Sequence, residues 1–278
     1  MVKIICDSTG DLTPDVIRKY GISLVPLNVL FGTDVFQDGV TITPEAFYAK
    51  LVTDSRHPTT SAPSPGQFAE MYQKLAKETD EIVVLTISGG LSATAESARQ
   101  ACELVGNSCK VAVVDSKMTC GGLFLPALKA AQMAQKGAKL NEIVDMLEDT
   151  LERVHAYMIF DTLDYLLKGG RIGRASAMLG SILKINPIIT LKEGLVESVA
   201  RARSREKAKD MLVQLVKDAG ELEGLTLEDA TTPAELDELS ERVGKFVPKD
   251  ITYRSKVSPV IGVHTGPNVL AACFISKK

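Results

Sequence analysis

The chain has 278 residues, 45% of them hydrophobic and 24% charged, with a formal net charge of −3. That profile is of a folded protein with ample core, and it argues against a strongly basic nucleic-acid or membrane-surface binder. Five scattered cysteines (Cys6, Cys102, Cys109, Cys120, Cys273) without a Cys-x-x-Cys pair, and three histidines without His-x-x-x-His spacing, predict neither a disulfide framework nor a metal site.

The first apolar run, Val2 to Asp7, reads as a strand, and Thr13-Pro14 opens a helix with a hydroxyl at the cap and proline in the first turn. Ser23 to Val29 reads as a second strand. Thr43-Pro44 and Ser64-Pro65 open two more helices. Glu81–Thr86 and Val111–Asp115 are predicted strands, with Ser92–Val105, Gly121–Gln135 and Leu140–Arg153 as helices. Strands alternating with helices predict a mostly parallel sheet covered on both faces, with ligands bound beyond the carboxyl ends of the strands. Asp7-Ser8, Thr59–Ser64, Ser88–Thr94 and Asp115-Ser116 fall at or near such ends, as candidates for one rim.

After Val154 the pattern changes. A short helix over 161–168 is stopped by Gly169-Gly170. Arg171–Arg174 links it to the stretch Ala175–Leu183, and two β runs follow, Pro187–Leu191 and Leu195–Val199, around Glu193-Gly194. Helices over Ser204–Ala219 and from Thr232-Pro233 toward Val243 precede three strands: Ile251–Arg254, Val260–Val263 and Val269–Ile275. This mixed order predicts a two-domain α/β protein, with an α/β sandwich over 1–155 and a smaller α+β domain over 156–278, and a ligand between them. No apolar stretch is long enough for a transmembrane segment and no signal peptide is evident, so the cytoplasm is the expected compartment.

Two hydroxyl clusters carry the functional signal: Thr59-Thr60-Ser61-Ala62-Pro63-Ser64 and Ser88-Gly89-Gly90-Leu91-Ser92-Ala93-Thr94. Hydroxyls and free N–H groups at helix starts suit an anion. Ser64 before Pro65 reads as an ordinary cap, whereas Thr60 and Ser61 are not needed for one; Ser92 reads as either a cap or a ligand. Neither stretch holds an acid, a base or a metal ligand, so binding is favoured over catalysis. Arg171 follows the Gly169-Gly170 stop, and Arg201, Arg203 and Arg205 alternate as for one face of an extended chain. His264 is read between a strand and the Gly266-Pro267 turn, either as a structural histidine or as a donor to a carboxylate.

In order and spacing, Asp7-Ser8-Thr9-Gly10-Asp11-Leu12, Thr60-Ser61-Ala62-Pro63-Ser64, Leu91-Ser92-Ala93-Thr94, Val114-Asp115-Ser116, the run from Asp161 to Gly173 and Ser258 to Pro267 resemble the DegV family of bacterial fatty-acid-binding proteins over nearly the whole chain. The resemblance implies a long-chain fatty acid between two α/β domains and no other cofactor. Its carboxylate would sit on residues matching Thr60, Ser61, Ser92 and His264, with Arg171 and Arg203 near the head group or facing a partner fatty acid kinase that makes the acyl-phosphate. Ala93 stands where the family has glycine, which would strain the loop if that position needs positive φ. Met118, Phe124, Leu163, Leu166, Ile182, Leu183 and Ile188 are candidate tunnel walls by apolarity. The rival readings are a phosphotransferase related to the dihydroxyacetone kinases, with His264 as covalent site, and a nucleic-acid or protein regulator using 201–209.

Overall fold

The computed structural model describes residues 1–178 and 185–278. β1 (Lys3–Asp7) runs into a 3-10 turn, Ser8–Gly10, capped by the Asp7 carboxylate, which accepts from the Thr9 N–H. α1 (Pro14–Tyr20) starts at its Thr13 cap and ends at Gly21 with φ 64°. The single strand predicted over Ser23 to Val29 is two. β2 (Ser23–Val25) stops before Pro26, which has no N–H to continue a ladder, and β3 (Asn28–Phe31) leaves for another sheet. β4 (Asp34–Gln37) completes a hairpin with β3.

α2 (Pro44–Thr53) follows its Thr43 cap, and β5 (Thr59–Ser61) pairs antiparallel with β3, so Thr60 sits on a short strand rather than a loop. Ser64 does cap α3 (Pro65–Leu75), in a reciprocal pair with Gln67. β6 (Glu81–Thr86), α4 (Thr94–Val105), β7 (Lys110–Asp115), α5 (Gly121–Gln135) and α6 (Leu140–Leu151) complete this half. β2-β1-β6-β7 form a wholly parallel sheet.

The second half contributes β8 (Val154–Ile159), α7 (Asp164–Lys168), β9 (Asn186–Lys192), β10 (Leu195–Ala202), α8 (Arg205–Asp218), β11 (Leu222–Asp229), α9 (Pro233–Val243), β12 (Thr252–Lys256), α10 (Pro259–Thr265) and β13 (Leu270–Ser276). Its sheet runs β10-β9-β8-β13-β11-β12, antiparallel except between β11 and β12. A 3-10 turn over Gly173–Met178 follows α7; residues 179–184, with the candidate wall residues Ile182 and Leu183, lie outside the described residues.

The strand predicted over Val260–Val263 is helix α10. Its β-branched residues favour a strand in isolation. Acids distant in sequence hold its start instead: Asp11 accepts the Ser258 N–H at 3.1 Å and Asp38 accepts from Val260.

The layers stack as α3 and α4, the parallel sheet, α5, the six-stranded sheet, then α8 and α9. Period-two alternation sorts the strands: Ile4 and Cys6 of β1 face α5 while Ile5 faces α3, and Ala271 and Cys273 of β13 face α5 while Ala272 and Phe274 face α8. α5 is apolar nearly all round because it is covered on both sides. At its first residue a Cβ on Gly121 would run into Thr226 Oγ1, so glycine allows the helix to seat on β11.

Candidate functional site

A cavity of about 190 Å³ opens where β5, the segment 87–93, β8, β9, β10 and α10 converge. It brings together five of the six residues singled out in the sequence: Thr60, Ser61, Ser92, Arg171 and His264. Arg203 is exposed, beyond the end of β10, and does not line it. The three alternating arginines do not share a face: Arg201 donates to the Ala177 carbonyl, while Arg205 opens α8 and pairs with Glu235 and Asp161.

Thr60 Oγ1 and His264 Nε2 share a hydrogen bond of 2.9 Å, joining β5 to the last turn of α10. His264 Nδ1 is buried with no partner. Burial, reinforced by the charge of Arg171, pushes the His264 pKa down to about 4, so the ring is neutral at pH 7. A Cβ on Gly169 would meet His264 Nδ1, so this glycine makes room for the ring as well as ending α7.

Arg171 spans the mouth, donating from Nε to the Leu91 carbonyl and from Nη1 to the Gly169 carbonyl. Ser92 does not cap α4; its Oγ shares a 2.8 Å hydrogen bond with Thr94 Oγ1, and the position before the helix belongs to Ala93. Ala93 has φ −74°, so the methyl group there strains nothing. Ser61 Oγ accepts from Asn28 Nδ2 at 3.1 Å. Two of the four candidate rim segments are elsewhere. Ser8 donates to Asp38, and Asp115 accepts from the Gly89 N–H and so shapes the 88–90 turn from behind.

The apolar walls were mostly missed. Leu166 lines the cavity, but Met118, Phe124 and Leu163 are packed in the core away from it, and Ile188 faces the α8 side of its sheet. The walls are Ala156, Met158 and Phe160 along β8 and its end, Ile189 and Leu191 on β9, and Val196 on β10. The alternation of residues 156, 158 and 160 was the available signal; at β9, a choice one residue off selected the wrong face. No aspartate or glutamate lies among the described lining residues, so the site is neutral to positive and suits an anionic head on an apolar tail.

A family model described as uncharacterised protein of the DegV family matches residues 1–277. The chain belongs to the DegV family. A DegV domain-containing protein of Caldanaerobacter subterraneus is 31% identical over 280 residues, covering 99% of each chain. The DegV-family structure described as showing fatty acid binding in a Thermus thermophilus protein superposes with a TM-score of 0.89 at 31% identity, covering 99% of each chain. DegV of Bacillus subtilis, described as a fatty acid binding protein, gives 0.91 at 28% identity over 99% of each chain. No helix among the described residues of this DegV-family chain is long and apolar enough to cross a membrane.

Proposed function

We propose that the chain binds a long-chain fatty acid in this cavity and carries no catalytic group of its own. The observation that carries the reading is the Thr60–His264 pair at the polar end of an otherwise apolar cavity whose described lining has no acid. The carboxylate takes hydrogen bonds from Thr60, Ser61, Ser92 and His264, and Arg171 supplies positive charge at the mouth. The tail runs between α10 and the walls from β8, β9 and β10. In the same proposal the chain divides into parts 1–155 and 156–278, with the ligand between them.

Burying a dozen methylenes at ~0.8 kcal/mol each amounts to roughly 10 kcal/mol gross. Hydrogen bonds to the charged head contribute about 1.5–3 kcal/mol each. The tail therefore supplies most of the affinity and the hydroxyls select acid over alcohol or ester. The cavity is smaller than the roughly 300–1,000 Å³ of drug-sized pockets, so the acyl chain enters by displacing side chains. Neutral hydroxyls also leave the head group open to chemistry by another protein. In this reading the partner is a fatty acid kinase in the cytoplasm, and exposed Arg203 faces it.

Native mass spectrometry with extraction of co-purified lipid tests the binding. One long-chain acid per chain is the expected result; equal affinity for the acid and the matching alcohol overturns the head-group assignment.

A further inference from the structure

We propose that Asp11, Cys120 and Glu228 form a binding site for a divalent cation of the zinc class. The three residues come from the turn after β1, the start of α5 and the end of β11, and one ligand atom of each lies within 4.8 Å of the others. All are buried, at 7%, 0% and 0% exposure.

Each carboxylate has one oxygen committed to the protein and one left over. Asp11 Oδ1 accepts the Ser258 N–H at 3.1 Å, and Glu228 Oε1 accepts from Ser255 Oγ at 2.8 Å. Asp11 Oδ2 and Glu228 Oε2 are buried with no partner at hydrogen-bond geometry, with the Cys120 thiol beside the Asp11 carboxylate and the Gly121 N–H beside that of Glu228. That is the arrangement of two monodentate metal ligands, each oriented by an outer hydrogen bond. The nearby Lys256 is paired with Asp229, and no basic side chain among the described residues forms an ion pair with Asp11 or Glu228.

Bond lengths of about 2.0–2.3 Å put the ligands of a tetrahedral zinc roughly 3.3–3.8 Å apart, so from separations within 4.8 Å the three atoms close in by at most roughly 1–1.5 Å. A thiolate with two carboxylates is a borderline donor set, which selects zinc over the harder magnesium and calcium. Asp11, Ser255 and Ser258 also line a separate cavity of about 590 Å³, the side from which an ion would reach the buried Cys120 and Glu228. The cation ties β1, α5 and β11 together and, through Asp11 and Ser258, steadies the start of α10, whose other end carries His264.

The test uses the full chain, stripped with a chelator and then given Zn²⁺ or Co²⁺. The expected result is about one equivalent retained after desalting, a raised melting temperature and, with Co²⁺, tetrahedral d–d bands and a thiolate-to-cobalt charge-transfer band. Cys120→Ser removes the charge-transfer band, and Glu228→Gln weakens retention at least tenfold. Either of two results on the parent protein overturns the site, whether or not the variants fold. One is no retained metal with an unchanged melting temperature, which leaves the two carboxyls sharing a proton. The other is retention of Mg²⁺ in preference to Zn²⁺. Retention unaffected by Cys120→Ser also overturns it, by assigning the metal to other thiols such as Cys102 and Cys109.

Discussion

Thr60 Oγ1 and His264 Nε2 lie 2.9 Å apart although 204 positions separate them in the chain. The contact clamps β5 to the last turn of α10 and holds a neutral imidazole against the cavity. The folded-state pKa of about 4 lies below the usual histidine value near 6.5, so the unfolded chain binds more protons between them. Stability from His264 is thus fully present above about pH 6.5 and lost as pH falls toward 4, by an amount on the order of 3 kcal/mol. Denaturant unfolding of the parent and of His264→Gln, from pH 7 down to 4, checks this. The variant's stability should fall less steeply across that window; parallel curves would remove the assignment.

Ser92→Ala is expected to weaken fatty-acid binding about tenfold, since a charge-assisted hydrogen bond is worth roughly 1.5–3 kcal/mol. It also takes from Thr94, fully buried, its partner at 2.8 Å, so a stability loss of about 1 kcal/mol should accompany it. Calorimetry with palmitate and a urea melt separate the two effects, and unchanged palmitate affinity would exclude Ser92 from the head-group site.

Gly169→Ala acts on the same site by sterics alone. Gly169 has φ −77°, which any residue tolerates, yet its added methyl would meet His264 Nδ1. The ring must turn away and the Thr60 contact open. The expected outcome is a loss of fatty-acid affinity comparable to that of His264→Ala, with a melting temperature lowered by only a few degrees, for a cost of about 1–3 kcal/mol. Parent-like affinity would show that the ring position does not matter for binding.

Arg203→Glu addresses the partner-facing role. The side chain is exposed and off the cavity, so palmitate affinity should stay within about twofold of the parent. Acyl-phosphate formation with the cognate kinase should fall at least severalfold, as reversing a rim charge slows encounter. An undiminished yield would free Arg203 from the interface.

Where the chain reads itself locally, sequence alone was sufficient. The Thr-Pro and Ser-Pro pairs that open α1, α2 and α3 act through the cap hydroxyl and the fixed proline φ, within one turn of chain. The alternation of strands with helices was visible for the same reason, as was the family resemblance, carried by short motifs in fixed order. The same Ser-Pro signal stood at Ser258-Pro259, but the β-branched run after it pointed to a strand. Carboxylates of Asp11 and Asp38, hundreds of positions away, decide for α10.

The walls of the cavity show the limit most plainly. Ile188 and Ile189 are equally apolar, and the pairing of β9 with β8 and β10 settles which of them faces the ligand side. Sequence by itself determined most element types, though not α10 or the split of β2 from β3, together with the hydroxyl clusters and the family, because caps, periodicity and motif spacing are short-range properties. Only the tertiary structure placed Thr60 against His264, room for the ring at Gly169, and Asp11 beside Cys120 and Glu228. The first two contacts arise where β5 and the end of α7 meet α10, and the third where β1 and β11 meet the start of α5, and their distances are set by tertiary packing that no local stretch of chain encodes.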